Sequence, residues 1–153
     1  MMKNTVVVIT IIVFGVVLAT DAMAQGGPHW RGGGGWGPGG SYGRMYDPKT
    51  VETIKGEVVS VDQITPHKGM GYGVHLRVKT ATETIAVHLG PGWYIEHQDT
   101  KIEPKDEIEV KGSRVTFDAK PAIIAAEVHK GNETLMLRDT SGVPMWAGWR
   151  RRP

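Results

Sequence analysis

His75, Arg77, Lys79 and His88 fall at alternate positions of two short runs, VHLRVK and IAVHL, whose intervening residues are aliphatic or alanine. Alternate residues of an extended chain share a face. If Val74, Leu76, Val78, Ile85, Val87 and Leu89 point inward, both histidines and both cations point outward together. Opposed imidazoles are good ligands for zinc or copper. A guanidinium and an ammonium instead recognise a polar or anionic ligand, with Tyr72 available at the edge of the preceding loop. Register decides which pair meets. A two-residue turn at Ala81 and Thr82 sets His75 opposite His88, whereas a four-residue turn over 81–84 brings Arg77 to that place. His67 and Met70 in the loop could add a third and a fourth metal ligand. The competing reading is a set of exposed histidines that alternate outward and bind no ion.

Other chemistries find little support. The chain has no cysteine, so neither a thiol nucleophile nor a disulfide framework is available. It contains no H-E-x-x-H, and Gly69 to Gly73, GMGYG, runs into a strand where a phosphate loop needs a helix. Residues 39–43, GGSYG, match the nucleophile-elbow spacing without the strand and helix that the elbow requires. Asn132, Glu133 and Thr134 fit the glycosylation acceptor pattern, which matters only in a host that carries out that modification. Single-stranded nucleic acid calls for a basic groove with stacking aromatics. Residues 48–146 hold 12 Lys plus Arg against 14 Asp plus Glu, and the outward positions of the two runs include no aromatic. No catalytic role is therefore expected, and nucleic acid ranks last among the ligands.

The elements that must position these side chains read as strands. Residues 51–64, VETIKGEVVSVDQI, alternate with a slip between Val58 and Val59, the mark of a bulged and curved strand, and Gly56 fits a close backbone approach. The two histidine-bearing runs form a hairpin. EIEVKGSRVTF (107–117) and PAIIAAEV (121–128) supply two more strands, and a short sixth is expected at 134–138. Between the third and fourth strands, Gly90-Pro91-Gly92 turns the chain into a short helix whose Trp93, Tyr94 and Ile95 plug an end of the barrel. The expected fold is all-β: a five- to six-stranded OB-fold-like Greek-key barrel with one short helix between strands 3 and 4.

The ends divide the chain further. Residues 1–24 carry Lys3, an apolar run and Ala22-Met23-Ala24, which read as a cleavable signal peptide and imply a periplasmic or secreted protein. The apolar run is shorter than the ~20 residues that span a bilayer, so no transmembrane span is expected after cleavage. Residues 25–47 are glycine-rich with interspersed Trp and Tyr and read as a disordered leader, or as an aromatic arm for a partner. Residues 48–146 form the OB-fold domain, and 147–153 a basic tail, either solvated or held to an acidic surface.

Segments 55–61 (KGEVVSV), 73–76 (GVHL), 87–94 (VHLGPGWY), 110–113 (VKGS) and 137–146 (LRDTSGVPMW) resemble small exported bacterial OB-fold proteins. More distantly, they resemble the periplasmic bacterial OB-fold stress-protein family. The resemblance implies a non-catalytic binding module. With the residue reading it points to an exported accessory protein that captures a polar or anionic ligand, or an envelope protein partner, on the strand 2–3 face. Tyr72, His75, Arg77, Lys79 and His88 are the contact residues. No cofactor is required, and the alternative is a zinc or copper site at His75 and His88.

Overall fold

The computed structural model describes residues 35–147. Residues 1–34, which hold the expected signal peptide and the first part of the expected leader with Trp30, and residues 148–153 of the tail lie outside the described residues.

Six strands make one sheet that closes on itself: β1 (Val51–Ile64), β2 (Gly73–Lys79), β3 (Thr84–Pro91), β4 (Glu107–Phe117), β5 (Lys120–Lys130) and β6 (Glu133–Met136). Their order is β3-β2-β1-β4-β5-β6. A parallel pairing of Ala86–His88 in β3 with Ala122–Ile124 in β5 completes the ring. This is the barrel the alternation predicts, with β6 as an added edge strand. The sixth strand begins and ends slightly earlier than expected.

The curvature sits where the slip in alternation places it. The ladder between β1 and β2 shifts between Val58 and Ser60. The first half of β1 pairs with β4 and the second half with β2. Gly56 lies at that crossing, where a Cβ would come 2.3 Å from the Lys79 carbonyl oxygen. A one-residue bulge and a missing side chain thus let one strand serve two neighbours. Leu76, Val78, Val87, Val110, Ile123 and Val128 fill the interior. Arg114 on β4 ties the hairpin to β1: its Nε donates to Glu52 (2.8 Å) and its Nη2 to Glu83 (2.6 Å). The hydrogen bond from Arg114 holds the Glu52 carboxyl below its ordinary range.

α1 (Gly92–Ile95) follows β3 directly, with Pro91 just before its first turn. Tyr94 is buried against Trp146 (5.2 Å between ring centres), and Trp93 and Ile95 pack at the margin of the core. The helix closes the barrel end as expected. The two glycines of the junction are needed for contact: a Cβ at Gly90 would stand 2.8 Å from the Trp146 ring, and one at Gly92 would collide with Tyr72.

The β4–β5 turn is built from Asp118 and Ala119 at φ +55° and +64°. Asp tolerates this left-handed region, but for alanine it costs about 1 kcal/mol or more. Ala119→Gly is therefore expected to raise the unfolding free energy by about 0.5–1 kcal/mol in a urea titration. No gain would mean that the turn relaxes at no cost.

Candidate functional site

The β2–β3 hairpin takes the two-residue turn. Thr80 N–H donates to the Glu83 carbonyl (2.7 Å), and the Thr80 hydroxyl accepts from the Glu83 N–H (3.1 Å). The register then pairs Lys79 with Thr84, Arg77 with Ala86 and His75 with His88. Arg77 and Lys79 stand exposed on the outer face, as the alternation implies. Across β1, Arg77 faces Ser60 and Lys79 faces Glu57. Neither cation takes part in an ion pair among the described residues.

His88 departs from the expectation. It does lie on the outer side, yet it is 1% exposed, because residues 35–46 lie over that end of the face. Tyr42, itself 1% exposed, shares a 2.7 Å hydrogen bond with His88 Nδ1. Phe117 sets its ring edge-on to the imidazole, 4.9 Å between centres. Burial is the main cause that holds the His88 pKa down at about 4, with His75 and Arg138 adding in the same direction. Burial also raises the Tyr42 phenol. His75 is half-buried, its ring centre 5.7 Å from that of His88. Its Nε2 lies 3.6 Å from the Asp62 carboxylate, and its Nδ1 is buried with no hydrogen-bond partner among the described residues. Burial lowers the His75 pKa against the opposing pull of Asp62.

The disordered reading of the leader fails for residues 35–46. Trp36 is 1% exposed and rests on Gly73, where a Cβ would come 2.2 Å from its ring. Its Nε1 donates to the Gly71 carbonyl (2.9 Å), and Trp146 Nε1 donates to the Trp36 carbonyl (2.8 Å). Tyr46 fits in the same way against Gly142. The glycine count conceals aromatics that each bury about 150–250 Å², and the barrel keeps glycines where those rings land.

Tyr72 is half-buried and is not a free ligand group. Its hydroxyl donates to Glu96, and burial together with that bond raises its pKa. His67 stacks on Phe117 and shares a 3.1 Å hydrogen bond with the Ser41 hydroxyl. Met70 packs on the core beside Gly35. Among the described residues no three His, Asp or Glu side chains converge on one point. A cleft of about 440 Å³, lined in part by Met45, Ile64, His67, Phe117 and Asp118, opens between the β1–β2 loop and the β4–β5 turn.

Arg138 escapes the strand reading. It is 2% exposed, its guanidinium 5.1 Å from the Trp146 ring centre and 5.7 Å from that of Tyr46, and its Nη1 donates to the Gly142 carbonyl (3.1 Å). Its Nε has no hydrogen-bond partner among the described residues, and burial lowers its pKa. In LMLRDT nothing marks this arginine as internal; the signal lies in the distant aromatics that sandwich it.

No helix among the described residues is long and apolar enough to cross a membrane. The model of the MamS/MamX magnetosome protein family matches residues 50–135, the barrel from β1 into β6. It is a different family from the periplasmic stress proteins, and one that agrees in kind with a resemblance to small bacterial proteins. No curated protein matches the chain.

Proposed function

Since the chain belongs to the MamS/MamX magnetosome protein family, we propose that it serves as a non-catalytic accessory module that holds an acidic protein partner on the outer face of β2 and β3. The signal-like N-terminus supports an exported site of action. The observation that carries the reading is Arg77. It is an exposed arginine without an ion pair among the described residues, flanked across the ladders by the small residues Ser60 and Ala86, which leave its guanidinium open to a carboxylate. Arginine at the centre of such a face is a common anchor of protein interfaces. The aromatics near this face are packed on one another, which favours a protein partner over a single strand that needs stacking surfaces.

The test uses a glutamate-rich decapeptide as the acidic probe, titrated at low salt and followed by amide NMR. Shifts centred on Ser60, Arg77 and Ala86 are expected, with binding about tenfold weaker or more in Arg77→Glu. A response confined to the cleft at His67, Phe117 and Asp118 would move recognition to the loops, where OB-folds also take ligands. Binding unchanged by the reversal would end the proposal.

A further inference from the structure

We infer that His75 and His88 form a two-imidazole site for a divalent transition-metal ion, zinc or copper, set between β2 and β3 beside the segment that covers them. The ladder places the two residues directly opposite, with ring centres 5.7 Å apart and planes tilted by 31°. A metal–nitrogen bond of about 2.0–2.1 Å sets each imidazole centre roughly 3 Å from the ion, so a tetrahedral pair has centres about 5 Å apart. The observed spacing meets that with a small adjustment of one side chain.

On each ring the other nitrogen faces a group of the kind that orients metal-binding histidines. His88 Nδ1 is held by the Tyr42 hydroxyl at 2.7 Å. His75 Nε2 faces the Asp62 carboxylate at 3.6 Å, and that carboxylate accepts from the Ser60 hydroxyl at 2.8 Å. Such partners fix the ring and settle which nitrogen offers its lone pair. With the ion bound, His88 Nδ1–H donates to the Tyr42 oxygen and Nε2 coordinates, while His75 coordinates through Nδ1.

The nitrogens left over, His75 Nδ1 and His88 Nε2, are the ones that would coordinate. Among the described residues, His75 Nδ1 is buried without a hydrogen bond, and the hydrogen bond of His88 runs from its Nδ1 to Tyr42, away from Nε2. A buried ring nitrogen without a partner calls for a reason, and coordination of an ion is one of the few available. No third carboxylate or imidazole joins the pair among the described residues, so the remaining positions fall to water. The His75 side chain is 21% exposed and provides the route in. Imidazole ligands suit both zinc and copper.

Zinc chloride and copper sulfate are titrated separately into the full chain, with calorimetry for stoichiometry and two-dimensional imidazole and amide NMR for location. One saturable equivalent with shifts centred on His75, His88 and Tyr42 is expected for at least one ion, and whichever ion binds more tightly identifies the site's preference. His75→Gln is expected to abolish it. Asp62→Asn alters an exposed residue that does not touch the ion and is expected to weaken binding about 10–100-fold. Three results would overturn the site: no saturable binding, binding that survives His75→Gln, or affinity unchanged in Asp62→Asn. The amide spectrum of each variant confirms that the barrel is folded.

Discussion

Trp36→Ala is expected to cost about 3–5 kcal/mol of stability, the range for emptying a fully buried large aromatic site. The size of the effect is unusual for a residue in a glycine-rich stretch. Trp36 lies among GGGGWGPGG, a setting that would ordinarily make any substitution neutral. Its ring, however, sits on the Gly73 backbone and edge-on to Tyr42, 4.9 Å between centres, and its indole N–H satisfies the Gly71 carbonyl. Alanine leaves a cavity on the barrel face and strands that carbonyl. It also loosens Tyr42, the partner of His88. Small domains have about 5–15 kcal/mol in total, so the loss is a large fraction of it. Equilibrium urea unfolding of the two proteins measures it. Gly73→Ala attacks the same joint from the other side, since its Cβ would enter the space of the indole, and is expected to destabilise by about 1–3 kcal/mol. If both variants matched the parent, residues 35–46 would be a tether after all.

The barrel was legible because strands carry their own local signal. Alternation in VHLRVK and IAVHL states which residues face inward, and the slip at Val58 and Val59 states where the first strand bends. The two-residue turn and the four-residue turn remained alternatives, because Ala81-Thr82 lacks the dipeptide that would fix one; Thr80 fixes it instead, with its hydroxyl inside the turn. The candidate site was legible only in part. Pairing of His75 with His88 follows from register, but the burial of His88 depends on Tyr42, 46 residues away. Likewise Arg138 is internal only because Tyr46 and Trp146 meet around it. Contacts of that range leave no periodicity behind. The one local hint was a reciprocal one: Trp and Tyr spaced along the leader, and glycines at 73, 90 and 142 where rings need room.

Acidification of the metal-free protein from pH 7.5 to 4.5 is expected to remove about 2–3 kcal/mol of stability, most of it through His88. In the folded chain burial holds this imidazole at about 4, with His75 and Arg138 reinforcing the effect and Tyr42 occupying Nδ1. In the unfolded chain it titrates near its ordinary value of 6.5. Between those values the unfolded state carries a proton that the folded state excludes, so stability rises with pH across the interval. The contribution is complete above 6.5, declines as the pH falls below it and is gone under about 4. An interval of about 2.5 pH units at about 1.36 kcal/mol each corresponds to roughly 3 kcal/mol. His75 shifts in the same direction. Glu52, lowered from 4.5 by Arg114, loses its contribution only beneath this window. Urea midpoints across the pH range, compared with those of His88→Gln, separate the cause: glutamine can keep a hydrogen bond to Tyr42 and does not titrate. The variant is expected to show a much shallower decline, and equal declines would assign the acid sensitivity elsewhere. Because the new charge appears on a ring that lies against Tyr42, amide exchange in residues 35–46 is expected to quicken at a higher pH than exchange in β4 and β5. The expected order is that acid lifts the covering segment before it opens the barrel, and equal exchange onsets would overturn it.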